Sequence, residues 1–413
     1  MNKIARFDWY SMLLFLGLVS VGLLNVYSAA YDVNNVGLAD AIVQKQFISL
    51  LIGVGFIFIL QFIDVKFFER YASIIYMISL ASLAGLWVFG SKISGAQSWY
   101  AIGGFSLQPS EFAKVAVALA VAKHLGGFNT KIQRRKDYLI AFILIGIPAL
   151  LVLLQPDPGT ALILLGLFLV LHAEGLPMFF ILVFFNLSFL FVLTLLIGVN
   201  WVYTLIALGF IFYLISPKKR KRRTIFFKAF LIALLSVGFT YSVSYIFEEV
   251  FEQRHRDRFN ILLGKEADAQ GIGYNINQSQ IAIGSGRFSG KGYLQGTQTK
   301  GGFVPEQQTD YIFTTIGEEW GFLGTISIVV LFILLMLRIL HIAYKQKSAF
   351  SRVFCLGFVC TLFIHVTVNI GMVVGLVPTI GIPLPFISYG GSSLLAFCLF
   401  LGVYLRIEYQ RTL

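Results

Sequence analysis

The residues of this sequence that could do acid–base or charge-stabilising chemistry gather in a few places. A polar stretch, residues 248 to 312, carries the acids Glu248, Glu249, Glu252, Asp257, Glu266, Asp268, Glu306 and Asp310. It also carries the bases Arg254, Arg256, Arg258, Lys265, Arg287, Lys291 and Lys300. A carboxylate here can take a proton from an attacking hydroxyl, and a base can neutralise an anionic leaving group. Spacing alone does not choose among them. Taken by itself, Asp268 reads as a turn former before glycines, and Glu318 and Glu319 read as charges near a helix N-terminus.

Three further groups lie beside long apolar runs, where an ionisable side chain is costly unless paired or hydrated. Glu111 and Lys114, in Gln108-Pro109-Ser110-Glu111-Phe112-Ala113-Lys114, have the i, i+3 spacing that places them on one helix face. That spacing suits a structural ion pair as well as a functional one. Asp157, in Gln155-Pro156-Asp157-Pro158-Gly159-Thr160, can cap a helix. The proline-rich run Pro378 to Phe386 continues into Ile387-Ser388-Tyr389-Gly390-Gly391-Ser392-Ser393. Irregular backbone at membrane depth survives only where protein or a wet cavity surrounds it.

Metal and thiol chemistry have little support. His124, His172, His255, His341 and His365 form no HExxH and no i, i+4 pair, which argues against a preformed zinc site. Cys355, Cys360 and Cys398 all fall in apolar runs and form no CxxC.

The elements that must position these groups are membrane spans. The chain is 57% hydrophobic and 13% charged, against about 25% charged in soluble domains. Apolar runs of bilayer length recur throughout, which predicts helices rather than the short alternating strands of a barrel. The first, about Trp9 to Ala29, is long enough to be retained as a span rather than removed as a signal. Others fall near 47–63, 71–90, 110–125, 138–154, 159–173, 176–198, 200–216, 225–247, 313–340, 353–375 and 388–406. With the N-terminus inside, every strong basic cluster is cytoplasmic: Lys66 and Arg70, Lys131 to Lys136, Lys218 to Arg223, and Lys345 to Arg352. The net charge of +12 is thereby explained without nucleic acid.

The expected fold is an all-α polytopic membrane protein, a bundle of 10–12 transmembrane helices with both termini cytoplasmic. Residues 1–413 form a single membrane domain, 248–312 a large extracytoplasmic loop without helices of its own, and 176–247 a region with an extra hairpin. Phe259, Ile261, Tyr274, Ile276, Ile281, Phe288 and Tyr293 interrupt the loop's polar residues, so it should fold against the membrane domain. Gly284, Gly286, Gly290 and Gly292 imply tight turns or close backbone approach. Segments 91–109, 155–158 and 376–387 also face outward, and they should converge with the loop on one site.

With these stretches in hand, the chain resembles the SEDS family (shape, elongation, division and sporulation), on its rod-shape (RodA) branch. The resemblance is carried by Gly95-Ala96-Gln97-Ser98-Trp99, the Gln108 to Lys114 run, Gln155 to Ala161 and Gly273-Tyr274 through Gly286. It continues in Gly290-Lys291-Gly292, Gly296-Thr297-Gln298, Pro305-Glu306, Thr309 to Phe313 and the Pro383 to Ser393 run. It covers nearly the whole chain, and Gly296-Thr297-Gln298 points to the RodA branch. Two departures stand out: Ala269 follows Asp268 where the family commonly has proline, and twelve spans are counted where the family commonly has ten.

The resemblance implies a peptidoglycan glycosyltransferase of the bacterial cytoplasmic (inner) membrane. It would polymerise lipid II on the outer face for cell elongation and shape, beside a class B penicillin-binding protein. The family's essential acid falls on Asp268, the implied general base of an inverting transfer that releases polyprenyl diphosphate. Lys114 and Arg258 are candidates to stabilise the diphosphate, while Glu111, Asp157, Glu306 and Asp310 would shape the substrate cavity or hold a cation, and Ser388 would bind substrate. A divalent cation, Mg²⁺ or Mn²⁺, suits an oxygen-rich site. A lipid II flippase and a non-catalytic scaffold are the rival readings. The inverted repeats of many transporters are not visible, and a scaffold would not need a particular loop carboxylate.

Overall fold

The computed structural model describes residues 7–31, 36–93, 96–102, 105–215, 222–251, 253–263, 265 and 272–412. In chain order the elements begin with helices α1 (Trp9–Ala30), α2 (Val36–Leu60) and α3 (Val65–Phe89). Strands β1 (Ser91–Ile93), β2 (Ala96–Ile102) and β3 (Phe105–Leu107) come next. Then come α4 (Pro109–Leu125), α5 (Arg135–Leu153), α6 (Pro158–Gly166), α7 (Phe168–Ala173), α8 (Met178–Ile197), α9 (Val199–Ile215) and α10 (Arg222–Tyr245). A π-helical turn (Ile246–Val250) leads to α11 (Gln253–Leu262), α12 (Ile272–Ser285), α13 (Ile312–Lys345), α14 (Ala349–Val373) and α15 (Gly391–Arg411). Nine helices among the described residues are long and apolar enough to cross a bilayer, and Pro158–Ala173 and Val199–Tyr213 are shorter apolar stretches.

The chain forms two compact units, Met1–Leu176 with Asn275–Leu413, and Pro177–Tyr274. In the first, α4 is central: every residue from Ala113 to Ala122 is buried. Its seventeen residues reach about 25 Å at 1.5 Å per residue. Alanines along it let α3, α5, α14 and α15 approach closely, and a Cβ at Gly357 of α14 would lie 3.2 Å from that of Ala118. Aspartates start two of the outer helices: Asp64 accepts from Lys66 N at 2.8 Å to open α3, and Asp8 caps α1. Asp8 also accepts from Arg338 Nη2 at 2.9 Å and from the Tyr404 hydroxyl at 2.7 Å, which joins α1, α13 and α15 at one end.

Strands β1, β2 and β3, between α3 and α4, form a small antiparallel sheet. Ser91 pairs with Trp99, and Tyr100 with Leu107. The Tyr100 hydroxyl donates to Ser82 O at 2.8 Å and the Gln97 amide to Leu86 O at 3.0 Å, so the sheet is pinned to α3.

The polar stretch after α10 is not the helix-free loop its composition suggests, because α11 and α12 lie within it. In α12 the buried Ile276, Ser279 and Ala282 recur every third residue, a helical stripe hidden among polar neighbours. In the second unit α8, α9 and α10 pack on one another, in the region assigned to the surplus hairpin. Phe259 of α11 sits beside Phe191, Phe247 and Phe251, with ring centroids 5.4, 6.1 and 6.4 Å away.

Helix α13 is broken at Gly321, where φ is 64° and ψ is −157°. The amide of Phe322, which would normally bond Glu318 O, donates instead to Arg287 O at 2.9 Å, and that of Leu323 donates to Phe288 O at 3.1 Å. The freed carbonyls of Glu318 and Glu319 accept from Lys291 N and Gly292 N, both at 3.0 Å. The loop after α12 thus replaces the missing helical bonds. A side chain at Gly321 would put its Cβ 2.3 Å from Gly290 N.

Candidate active site

After α14 the prolines at 378, 383 and 385 prevent helix, and each polar group that α14 and α15 leave uncovered needs a partner. Asn369 supplies two, its amide donating to Ile382 O at 2.7 Å and to Asp310 O at 2.8 Å. The Ser388 hydroxyl accepts from Leu384 N at 2.8 Å and donates to Thr309 O at 2.7 Å. Tyr389 N donates to Gln308 O at 2.9 Å. Gln46 of α2 closes the end, donating to Ser388 O at 3.2 Å and accepting from Gly390 N at 3.1 Å. Residues 308–310 therefore lie along the proline-rich break. Asp310 lies close to Gly381, whose Cβ, if present, would be 3.1 Å from Asp310 Oδ2.

The break before α6 meets the same place. Asp157 caps α6, accepting from Thr160 N at 3.0 Å and Thr160 Oγ1 at 2.8 Å, and from the Gln108 amide at 3.2 Å. Gly159 lies so near the second break that its Cβ would be 3.0 Å from Ile380 O. Ser392 at the start of α15 accepts from Gln108 N at 3.0 Å, bringing the first residues of α4 and α15 together. Burial raises the Asp157 pKa above the ordinary 3.8, opposed by the two Thr160 donors and reinforced by the charge of Glu111.

On α4, Lys114 Nζ lies 2.7 Å from Glu111 Oε2 and 2.8 Å from His365 Nε2 of α14. Glu111, Lys114 and His365 are 2%, 1% and 0% exposed. The ammonium also lies 5.3 Å from the Phe397 ring centre on α15. A cation so enclosed is stabilised by its direct partners rather than by solvent.

A second buried acid cluster lies at the kink of α13. Glu318 Oε1 accepts from Lys291 Nζ at 2.7 Å, Thr297 N at 2.8 Å and Gln298 N at 2.9 Å. Its Oε2 accepts from Thr299 N at 2.9 Å and Thr299 Oγ1 at 2.8 Å. The Gly296-Thr297-Gln298 element is thus wrapped round one carboxylate. Glu319 accepts from the Ser28 hydroxyl at 2.5 Å and has Lys300 Nζ at 3.6 Å. Lys300 also donates to the Ser28 carbonyl, and burial lowers its pKa.

Compared with known proteins, the chain matches the FtsW/RodA/SpoVE family, described as cell cycle protein, over residues 8–227 and 221–413. The chain belongs to this family. It is 33% identical over 386 residues to the peptidoglycan glycosyltransferase MrdB of Escherichia coli (strain K12), spanning 94% of this chain and 90% of that protein. It is 31% identical over 436 residues to the peptidoglycan glycosyltransferase RodA of Treponema pallidum (strain Nichols), spanning 98% of each. Among solved structures, it is similar to a chain from work on structural coordination of polymerization and crosslinking by a peptidoglycan synthase complex. The TM-score there is 0.71 at 27% identity, over 98% of both chains. The rod shape determining protein RodA of Thermus thermophilus gives a TM-score of 0.62 at 27% identity, again over 98% of both.

Of the site residues read from the sequence of this FtsW/RodA/SpoVE member, Glu111, Lys114, Asp157, Asp310 and Ser388 come together around the two breaks. Glu306 is exposed at a left-handed turn (φ 50°), where the Thr309 hydroxyl donates to its Oε2 at 3.2 Å. Arg258 lies on α11 in the second unit. Asp268 lies outside the described residues. His365 and Glu318 were missed. No motif marks His365, which meets Lys114 from 251 positions away, whereas two adjacent acids just inside an apolar run were a usable signal for Glu318.

The described residues do not fit a preformed divalent-cation site. No group of three His, Cys, Asp or Glu side chains among them is placed to hold a metal ion, and the Asp157 oxygens already hold three donors. A hard cation asks for about six oxygen ligands.

Proposed function

We propose that this chain is a peptidoglycan glycosyltransferase of the bacterial cytoplasmic membrane that polymerises lipid II on the outer face for cell elongation. The observation that carries the reading is similarity along 94% and 98% of the chain to proteins named for that activity. The buried acid–base cluster beside two helix breaks is consistent with it, since such groups in a membrane are kept for function.

In this reading Asp268 takes the proton from the acceptor sugar hydroxyl as that oxygen attacks the donor's anomeric carbon. The anomeric bond to the diphosphate breaks, the configuration inverts, and polyprenyl diphosphate leaves. Lys114 and Arg258 offset the charge on the leaving group, and Glu111, Asp157, Glu306, Asp310 and Ser388 shape the ground on which the sugars lie. Mg²⁺ or Mn²⁺ belongs to the proposal as an ion brought by the diphosphate oxygens rather than held in a protein cage. The partner is a class B penicillin-binding protein that crosslinks the product, in keeping with the synthase complex to which the chain is similar. In this reading both termini are cytoplasmic, which the distribution of basic clusters supports.

The test is the purified full chain in liposomes with labelled lipid II, alone and with the penicillin-binding partner, comparing wild type with Asp268→Asn. Wild type should make glycan polymer, and the variant should lose at least about a hundredfold in rate, the lower end for a lost acid–base group. A well-folded Asp268→Asn that polymerises at the wild-type rate removes the base assignment. Lipid II movement across the bilayer without polymer would point to a flippase. EDTA separately tests the cation.

A further inference from the structure

His365 is buried at the centre of α14, with both ring nitrogens in use. Nε2 lies 2.8 Å from Lys114 Nζ, and Nδ1 lies 3.1 Å from Pro383 O. The proton positions follow from the partners. The ammonium has only donors, so Nε2 accepts, and the carbonyl has only lone pairs, so the ring hydrogen sits on Nδ1 and donates to it. The ring is therefore neutral, and its orientation is set from both sides. Phe397 stands edge-on to it at 5.0 Å between centres and also lies 5.3 Å from the ammonium.

We propose that His365 is a positioning residue for Lys114, tying the ammonium to the proline-rich break. Glu111 takes one of the three N–H groups and His365 the second, so the position of the positive charge is set between α4 and the proline-rich break. Without an acceptor at Nε2 the ammonium turns toward Glu111 alone, and its place no longer follows that of Pro383. This inference rests on the glycosyltransferase reading for its effect on rate, but its structural core does not.

Two measurements test it. The first uses ¹⁵N-histidine NMR of the full chain in lipid, with the His365 signals identified by their loss in His365→Gln. A ring protonated at Nδ1, whose Nε2 shift moves in Lys114→Gln, is expected. A ring protonated at Nε2, or one insensitive to Lys114→Gln, overturns the proposal whatever the activity.

The second is a double-mutant cycle on polymerisation. His365→Phe keeps the ring volume and removes the acceptor. It should lower kcat by about tenfold to a hundredfold, the usual loss when an orienting partner is removed, with KM within about twofold. His365→Gln, which can both accept and donate, should recover most of the rate. Adding His365→Phe to Lys114→Gln should cost nothing more, because both act through one group. A multiplicative loss in the double variant, or a folded His365→Gln as slow as His365→Phe, overturns the proposal. A wild type without polymerase activity would reject the glycosyltransferase reading and leave the NMR outcome to decide this one.

Discussion

The two buried acid clusters of the first unit look alike in composition and differ in what satisfies them. Glu318 is held by the amides of Thr297, Gln298 and Thr299, by the Thr299 hydroxyl and by Lys291. Its oxygens are saturated by one turn of chain, an arrangement that fixes backbone. Glu111 and Lys114 have no such cage. Lys114 is bonded to two ionisable side chains, Glu111 and His365. A carboxylate enclosed by backbone amides has its oxygens committed, whereas side-chain partners can change rotamer. The first cluster therefore builds the loop between α12 and α13, and the second places ionisable side chains beside the breaks.

The largest effect is expected at the caged acid. Glu318→Ala leaves three amides, one of them buried, and Lys291 without their acceptor, and removing one partner of a buried charge costs up to about 3–5 kcal/mol. Thermal unfolding in detergent should show a midpoint far below that of wild type, with the loop around Gly296 open to protease. A variant as stable as wild type, with the loop still protected, would erase the distinction between the clusters.

The opposite result is expected at the other cluster. Replacing both partners, Glu111→Gln with Lys114→Met, removes the charges together, a change that is often neutral or stabilising in a protein interior. Thermal stability should stay near wild type while polymerisation falls by about a hundredfold to a thousandfold, the loss seen when a charge-stabilising donor is deleted. A double variant that unfolds, or one that polymerises normally, would make Glu111 and Lys114 a structural pair like many others.

How much of this could be read in the sequence follows the same division. The apolar runs and basic clusters were legible because a bilayer permits few alternatives, and Pro378 to Pro385 announced the break. The meeting of Glu111 with Lys114 was legible as well, because i, i+3 spacing is local. His365 was not, since its link to Lys114 depends on how α14 packs on α4. Nor was the break in α13. Gly321 sits in a run apolar enough to be read as one continuous span, and only its left-handed φ of 64° and the nearby backbone of Gly290 show why glycine is there. The helix α12 stayed hidden because its buried stripe alternates with Asn and Gln.

The smallest effect is expected at Asp157, which lies between the two kinds of site: it caps a helix through Thr160, and it sits beside the Glu111–Lys114 pair. Asn caps as well as Asp, so Asp157→Asn should shift stability by only a few tenths of a kcal/mol at low pH. The pH dependence carries the information. Burial raises the folded pKa of Asp157 above 3.8, so the folded state holds the proton more tightly than the unfolded chain. Its contribution to stability is therefore full below 3.8 and is lost as pH rises through the higher folded value. Asn does not titrate, so the difference in unfolding midpoint between wild type and Asp157→Asn should be most favourable to wild type near pH 4 and decline toward neutral pH. A difference that instead grew with pH would mean that the negative charge is held as firmly here as in the Glu318 cage, and the two clusters would then differ in degree rather than in kind.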